Sequence, residues 1–328
     1  MISTETLVRW AKALGFAEVG FCSIDPFIRS YQIVQAQQSL SERKQLRFFP
    51  SEDFPAAKSI AVLLWPYDQA PLPQGDEEVF VDSYYAASNA AYHAARILEE
   101  QALRSGCFAK ANVPYPAKEA AIRAYMGIIG HHSLLITPRY GSRVVIILVA
   151  TGIEITIDHQ PSQMQSCLKC GQCAKSCPSG AIDANGLTHP ERCLRNFTME
   201  GVIIPEETRS KIGMRLIGCD ICQRVCPMQP KAQLHQRKAY LLSDFVTDDS
   251  AAFSSAVANL SDEIGRNTAR PQRVRAQAAL LAGNSRNPSY LPVLRQWVEL
   301  PFEAVNHHAR WAIAQIESAS LDRIEQSE

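Results

Sequence analysis

Eight of the chain's ten cysteines fall between Cys167 and Cys226, while Cys22 and Cys107 stand alone. The eight come mostly in two runs. The first reads Cys167-Leu168-Lys169-Cys170-Gly171-Gln172-Cys173-Ala174-Lys175-Ser176-Cys177-Pro178. The second reads Cys219-Asp220-Ile221-Cys222-Gln223-Arg224-Val225-Cys226-Pro227, and Cys193 stands between them. Thiolates are soft ligands that suit iron–sulfur clusters and zinc alike, so two four-thiolate zinc sites could be drawn from the same residues. Spacing favours the clusters. Three thiolates two residues apart can wrap one face of a cubane, because the short loops aim successive sulfurs inward.

The first run has the C-x2-C-x2-C-x3-C-P spacing of bacterial two-cluster ferredoxins, in which the cysteine before the proline ligates the other cluster. That crossover predicts one [4Fe–4S] cluster on Cys167, Cys170, Cys173 and Cys226. The other would use Cys177, Cys193, Cys219 and Cys222, with no cysteine of the module left over. Lone Cys22 and Cys107 read as small core residues. Close, crossed ligation suits electron transfer from one cluster to the next.

Those ligands need a scaffold. With 328 residues, 46% hydrophobic and 20% charged, the chain has the make-up of a soluble enzyme with a sizeable core. Lysine plus arginine equals aspartate plus glutamate at 33 each, so net charge points to no polyanionic partner. The first residues, Met1 to Glu5, carry no basic-then-apolar leader. The longest apolar stretch, around Val144 to Val149, is far short of the roughly 20 residues that span a bilayer. A cytoplasmic protein with no membrane association is expected, in a compartment where cysteines serve as ligands rather than disulfides.

The expected fold class is α+β. A mixed α/β domain covers residues 1–160, a two-cluster ferredoxin-like module 161–230, and a short α-helical tail 231–328. Apolar spacing predicts a helix over Thr4 to Leu14 and strands over Ala17 to Ile24 and Ser59 to Trp65. A long alanine-rich helix is expected over Ser83 to Leu103, and another over Pro116 to Met126. Leu134–Thr137 and Arg143–Ala150 read as a hairpin turned at Pro138 to Gly141. His159 to Gln163 reads as a linker. In the tail, Arg273–Leu281 and Ala304–Ala312 align with Val274 on Val305, Ala278 on Ala309 and Leu280 on Trp311, the register of a HEAT-like helical repeat.

Beyond the cysteines the chain resembles the epoxyqueuosine reductase family, cobalamin- and iron–sulfur-dependent enzymes related to reductive dehalogenases. The resemblance runs through Ala57-Lys58-Ser59, Tyr92-His93, Gly130 to Pro138, Tyr140-Gly141-Ser142, and the linker residues Ile204 to Arg209 and Ile212 to Asp220. It implies a cobalamin held between the N-terminal domain and the cluster module. Electrons from an outside donor, such as a ferredoxin or flavodoxin, would pass through the clusters to cobalt. The reaction would reduce a modified tRNA nucleoside or another small electrophile.

Ser133, Leu135 and Ile146 fall in stretches matching the family's cobalamin cradle. Arg195, Arg209 and Arg215 flank cluster cysteines and could bind the cofactor or offset cluster charge. The family's proton-donating aspartate corresponds to Val113, and valine has no proton to give. His131, His132 and Tyr115 are the substitute donors nearest in sequence, with Glu119 a further candidate. Tail arginines Arg266, Arg270, Arg273, Arg275, Arg286, Arg295 and Arg310 could meet a tRNA backbone, although acidic residues share the segment. A monomer is expected. The rival expectation is a non-catalytic electron-transfer or binding protein that kept the clusters.

Overall fold

The computed structural model describes residues 2–36, 46–156, 166–230 and 239–325, with only the backbone described for 321–325. The predicted linker at His159 to Gln163 lies outside the described residues. Contacts divide the chain into two units that interleave along the sequence. One comprises Met1–Tyr67, Ala87–Cys170 and Cys226–Lys231; the other comprises Asp68–Ala86, Gly171–Val225 and Ala232–Glu328. This division by contacts cuts the chain differently from the three-part division by expected role.

The first unit is built on two apolar runs, Ser59–Pro66 and Val144–Thr151, whose residues are buried nearly throughout. Runs apolar on both faces belong in the middle of a covered sheet. There they pair antiparallel, Ile60 opposite Ala150 and Val62 opposite Leu148. Strands Glu18–Ser23 and Ala109–Ala111 flank them, giving four antiparallel strands. Helix Thr4–Ala13 starts at Ser3, whose hydroxyl accepts the Thr6 N–H at 3.3 Å. It buries Leu7 and Ala11, an i,i+4 pair on one face. Helix Ala117–Arg123 packs on three of the strands through Ala120 and Ala121, whose small side chains permit close approach.

Two local expectations need correction. No hairpin joins 134–137 to 143–150. Leu135–Ile136 pairs instead with Ile128–Ile129, while Val144–Thr151 takes Ser59–Pro66 along its length and Ala109–Ala111 against its last three residues. The helix expected to reach Met126 stops at Arg123, and the chain turns away at Tyr125, whose φ is 56°.

The second unit holds a three-stranded sheet with Glu78–Val81 in the centre, parallel to Arg215–Ile217 and antiparallel to Tyr240–Leu241. Helix Ser83–Arg104 begins in this unit and continues in the first. The tail is helical: Ser250–Ile264, Pro271–Ser285, Leu291–Trp297 and Glu303–Glu325. Asp249 caps the first of these, accepting the N–H groups of Ala251 and Ala252 at 2.8 and 3.1 Å. Pro271–Ser285 is the central helix and buries every residue from Ala276 to Gly283. At Gly283 a Cβ would lie 2.7 Å from the Trp311 ring and 2.8 Å from the Ala312 Cα, so glycine lets helix Glu303–Glu325 close on it. Val274, Ala278, Val305 and Ala309 are all buried in this core. The unit is therefore mixed α and β, as is the chain. Among the described residues no helix is long and apolar enough to cross a membrane.

Candidate functional site

The cysteine loops turn sharply, as ligation of one compact group requires. Lys169 and Gly171 take left-handed φ values of 52° and 73°, bending the chain on either side of Cys170. Main-chain donors already face the sulfurs: Lys169 N–H points to Cys167 Sγ at 3.5 Å and Ala181 N–H to Cys177 Sγ at 3.3 Å. None of the ten cysteines is in a disulfide; Cys173 is buried, Cys170 exposed, and the other six of the module half-buried.

Electrostatic proximity sorts the module into two groups. Cys222 has its thiol pushed well above the usual range, first by burial and then by Cys219, Cys193, Cys177 and Cys173. Cys219 is pushed up to about 11, again chiefly by burial. Cys226 is raised by burial and by Cys167 and Cys170. Buried neighbouring thiols cannot all ionise without a cation to compensate, and bound iron supplies that charge. Cys22 differs: burial pushes it up to about 12, with Arg123 opposing, and no cysteine lies among its neighbours.

The other predicted residues part company. Val113 is in the core of the first unit. Tyr115, also buried there, donates its hydroxyl to Asp53 Oδ2 at 2.9 Å, and Arg47 Nη1 holds the other oxygen at 2.6 Å. Burial and then Asp53 raise the Tyr115 pKa, so this phenol gives up its proton reluctantly. Glu119 is engaged by the Ser30 N–H and hydroxyl and by Arg123 Nη2 at 2.7 Å, so it serves as an anchor for the Ile28–Ala36 helix.

His132 is buried and accepts the Leu134 N–H at Nδ1, 3.2 Å away. Its pKa is pushed down to about 4 by burial first, then His131 and Lys118. The ring is therefore neutral near pH 7. With Nδ1 accepting, Nε2 carries the hydrogen, and that N–H is buried with no partner among the described residues. Ser133 follows in the left-handed region at φ 60°, its carbonyl taken by Lys118 Nζ at 2.8 Å. Leu135 is closed into the core, whereas Ile146 is half-buried at the core's edge. A cavity of about 1000 Å³ in this unit is lined by residues such as Arg9, Lys12 and Tyr125, and none of the predicted residues lines it.

Arg209 donates Nε to Ile204 O at 2.9 Å and stacks on Trp311 at 5.6 Å, fastening the inter-motif linker to the tail. Arg215 donates to Ile212 O at 3.1 Å. Arg195 lies over the rings of Tyr84 and Tyr85, at 5.0 and 5.5 Å. Sequence spacing missed this clamp, because the tyrosines precede Arg195 by more than a hundred residues. It also missed Asp82 and Asp220, two buried carboxyls with Arg224 Nε on Asp220 at 2.7 Å. Burial and then Asp220 raise Asp82 to about 6. Of the tail arginines, Arg273 donates to Asn267 and Thr268 carbonyls, Arg275 stacks on Phe253 at 4.1 Å, and Arg295 pairs with Glu317 at 3.1 Å.

Residues 166–229 match a family described as a 4Fe-4S double cluster binding domain. The protein thus carries two [4Fe–4S] clusters. An epoxyqueuosine reductase of Aliivibrio fischeri (strain ATCC 700601 / ES114) is 27% identical over 93% of this chain and 89% of its own length. One from Vibrio cholerae serotype O1 (strain ATCC 39315 / El Tor Inaba N16961) is 26% identical over the same shares. In fold, the chain is similar to epoxyqueuosine reductase from Bacillus subtilis, solved with a catalytic aspartate loop swung out of the active site. The TM-score is 0.77 at 25% identity, covering 98% of this chain and 92% of that one.

Nearly the whole chain is thus similar to epoxyqueuosine reductases. A further structure, of an epoxyqueuosine reductase with an epoxyqueuosine-modified tRNA-Tyr stem loop, shares the fold at a TM-score of 0.77 and 24% identity. The protein is an oxidoreductase that uses iron–sulfur clusters. That likeness favours the enzyme over the bare electron carrier.

Proposed function

We propose that this protein is a cytoplasmic, cobalamin-dependent reductase acting on epoxyqueuosine or a closely related modified nucleoside in tRNA. The observation that carries the reading is likeness to epoxyqueuosine reductases along nearly the whole length of both chains, which spans the cluster module and the mixed α/β unit together. The ligand sets we assign are Cys167, Cys170, Cys173 and Cys226 for one cluster, and Cys177, Cys193, Cys219 and Cys222 for the other. Their support is the ferredoxin spacing, together with the nearness of Cys167 and Cys170 to Cys226 and of Cys177, Cys193 and Cys219 to Cys222; Cys173, which also acts on Cys222, is assigned by spacing alone. Among the described residues no three histidine, cysteine or acidic side chains converge as a single metal ion would need. A cubane spreads its thiolates over four irons and asks for a wider arrangement.

Cobalamin fits part of the predicted cradle. Its rim of carboxamides needs hydrogen-bonding partners; the half-buried Ser133 and the partnerless Nε2–H of His132 offer them, and Ile146 offers apolar surface. Leu135, enclosed in the core, does not fit a contact role. When bound, cobalamin supplies a cobalt centre that can be reduced to a strong nucleophile. The chain's own task is to supply a proton. Val113 has none, Tyr115 holds its phenolic proton tightly, and His132 is already neutral near pH 7. We assign that role to His131, the half-buried imidazole next to His132. A ferredoxin or flavodoxin would deliver the electrons.

The test uses protein purified anaerobically with its clusters and supplied with hydroxocobalamin. Corrin absorbance should survive desalting, and tRNA bearing epoxyqueuosine should yield queuosine under reducing conditions. Persistent epoxide with corrin retained excludes this substrate; loss of the corrin excludes the cofactor.

A further inference from the structure

The second unit surrounds its cysteines with an uneven distribution of charge. Cys193 directly precedes helix Leu194–Glu200, and Arg195 sits in the first turn of that helix. Its guanidinium is held over two tyrosine rings, Tyr84 at 5.0 Å and Tyr85 at 5.5 Å, which meet edge to face at 5.3 Å. Tyr85 in turn packs against Gly218, where a Cβ would come within 2.7 Å of the Tyr85 Cε2. Gly218 immediately precedes Cys219. The clamp therefore touches the chain next to two cysteines assigned to one cluster. No carboxylate among the described residues lies within ion-pair distance of Arg195, although Asp82 is near enough for its charge to be felt. Arg195 also feels Cys193, and Arg215 acts on Cys219. Among the described residues, the charges that raise Cys226 are those of Cys167 and Cys170.

A permanent positive charge stabilises the more negative reduced state of a cluster and raises its potential. Arginine keeps that charge at any working pH. We infer that Arg195 is a positioning and tuning residue for the cluster on Cys177, Cys193, Cys219 and Cys222, setting that cluster at a higher potential than its neighbour. The two clusters are then unequal stations on the electron path: the arginine-flanked one holds an electron more readily. This rests on the ligand sets proposed above.

The test is an EPR-monitored redox titration of the cluster-loaded protein and of two variants, Arg195→Gln and Arg195→Lys, with iron counted in each. The wild type should titrate in two waves. Arg195→Gln should lower the upper wave alone, by about 59 mV, a tenfold change in the ratio of oxidised to reduced cluster for a one-electron centre. Arg195→Lys, which keeps the charge, should restore most of that shift. A single wave in the wild type overturns the inference, as do unmoved waves in Arg195→Gln or equal shifts in both variants. Fewer than about eight irons in the wild type would sink the two-cluster assignment and this inference with it. Full iron with an unmoved upper wave overturns only the role of Arg195.

Discussion

At the scale of single residues, the chain separates histidines and arginines that do structural work from those open to chemistry. His308 illustrates the first kind. It is fully buried, its Nε2 accepting the Ile204 N–H at 3.1 Å and its Nδ1 at 2.8 Å from the Ala276 carbonyl. That pair of bonds requires a neutral ring with hydrogen on Nδ1, and burial first of all pushes the pKa from 6.5 down to about 4. The unfolded chain therefore binds a proton between these values that the folded chain refuses. Stability from this group is complete above about 6.5 and is lost as pH falls toward about 4. His132 contributes in the same direction. Denaturation midpoints should drop steadily between pH 7 and 5, and His308→Gln should flatten that slope by one proton. The same variant should cost about 1–3 kcal/mol at pH 7, because a buried bond partner is lost. An unchanged slope would show that His308 titrates elsewhere.

Among elements, the loop entering the second cysteine run has the tightest tolerance. Gly218 has φ 85°, and an added Cβ would lie 2.5 Å from the Asp82 Cβ. Both the backbone conformation and the space exclude a larger residue. Its N–H is also fixed, donating to Thr198 Oγ1 at 2.9 Å. Gly218→Ala should cost on the order of 2–3 kcal/mol in chemical denaturation. It should also halve the bound iron, since Cys219 and Cys222 follow directly. Normal iron content would show that the loop yields more easily than its packing implies. The hairpin expected between 134–137 and 143–150 fails at this same scale. Alternating apolar residues state that a strand exists, but its partners depend on which edges other segments have already filled.

For the whole molecule, the assigned crossover makes a prediction that sequential pairing does not. Cys167→Ala and Cys226→Ala should abolish the same EPR signal although 59 positions separate them in the chain. Cys177→Ala should instead share its loss with Cys193→Ala and Cys222→Ala. Loss of one signal by Cys167→Ala and Cys177→Ala alike would refute the crossed sets. Both units are assembled from separated segments, and the cut points at Cys170/Gly171 and Val225/Cys226 fall inside the two cysteine runs.

The sequence by itself determined the two clusters and the mixed fold class. It also determined most long elements, since ligand spacing and apolar periodicity are local properties written in consecutive residues. Thus Ser59–Pro66 and Ser83–Arg104 lie within a residue or so of their expected bounds. Tertiary structure alone decided which polar groups are available. Tyr115 is tied to Asp53, Glu119 to Ser30 and Arg123, and Arg209 to Ile204, each through partners remote in sequence or fixed by burial. Tertiary structure also brought Tyr84 and Tyr85 to Arg195 and left the His132 N–H without an acceptor. The reason is physical: a side chain's chemistry depends on its desolvation and its neighbours' charges, and both arise only when distant segments pack.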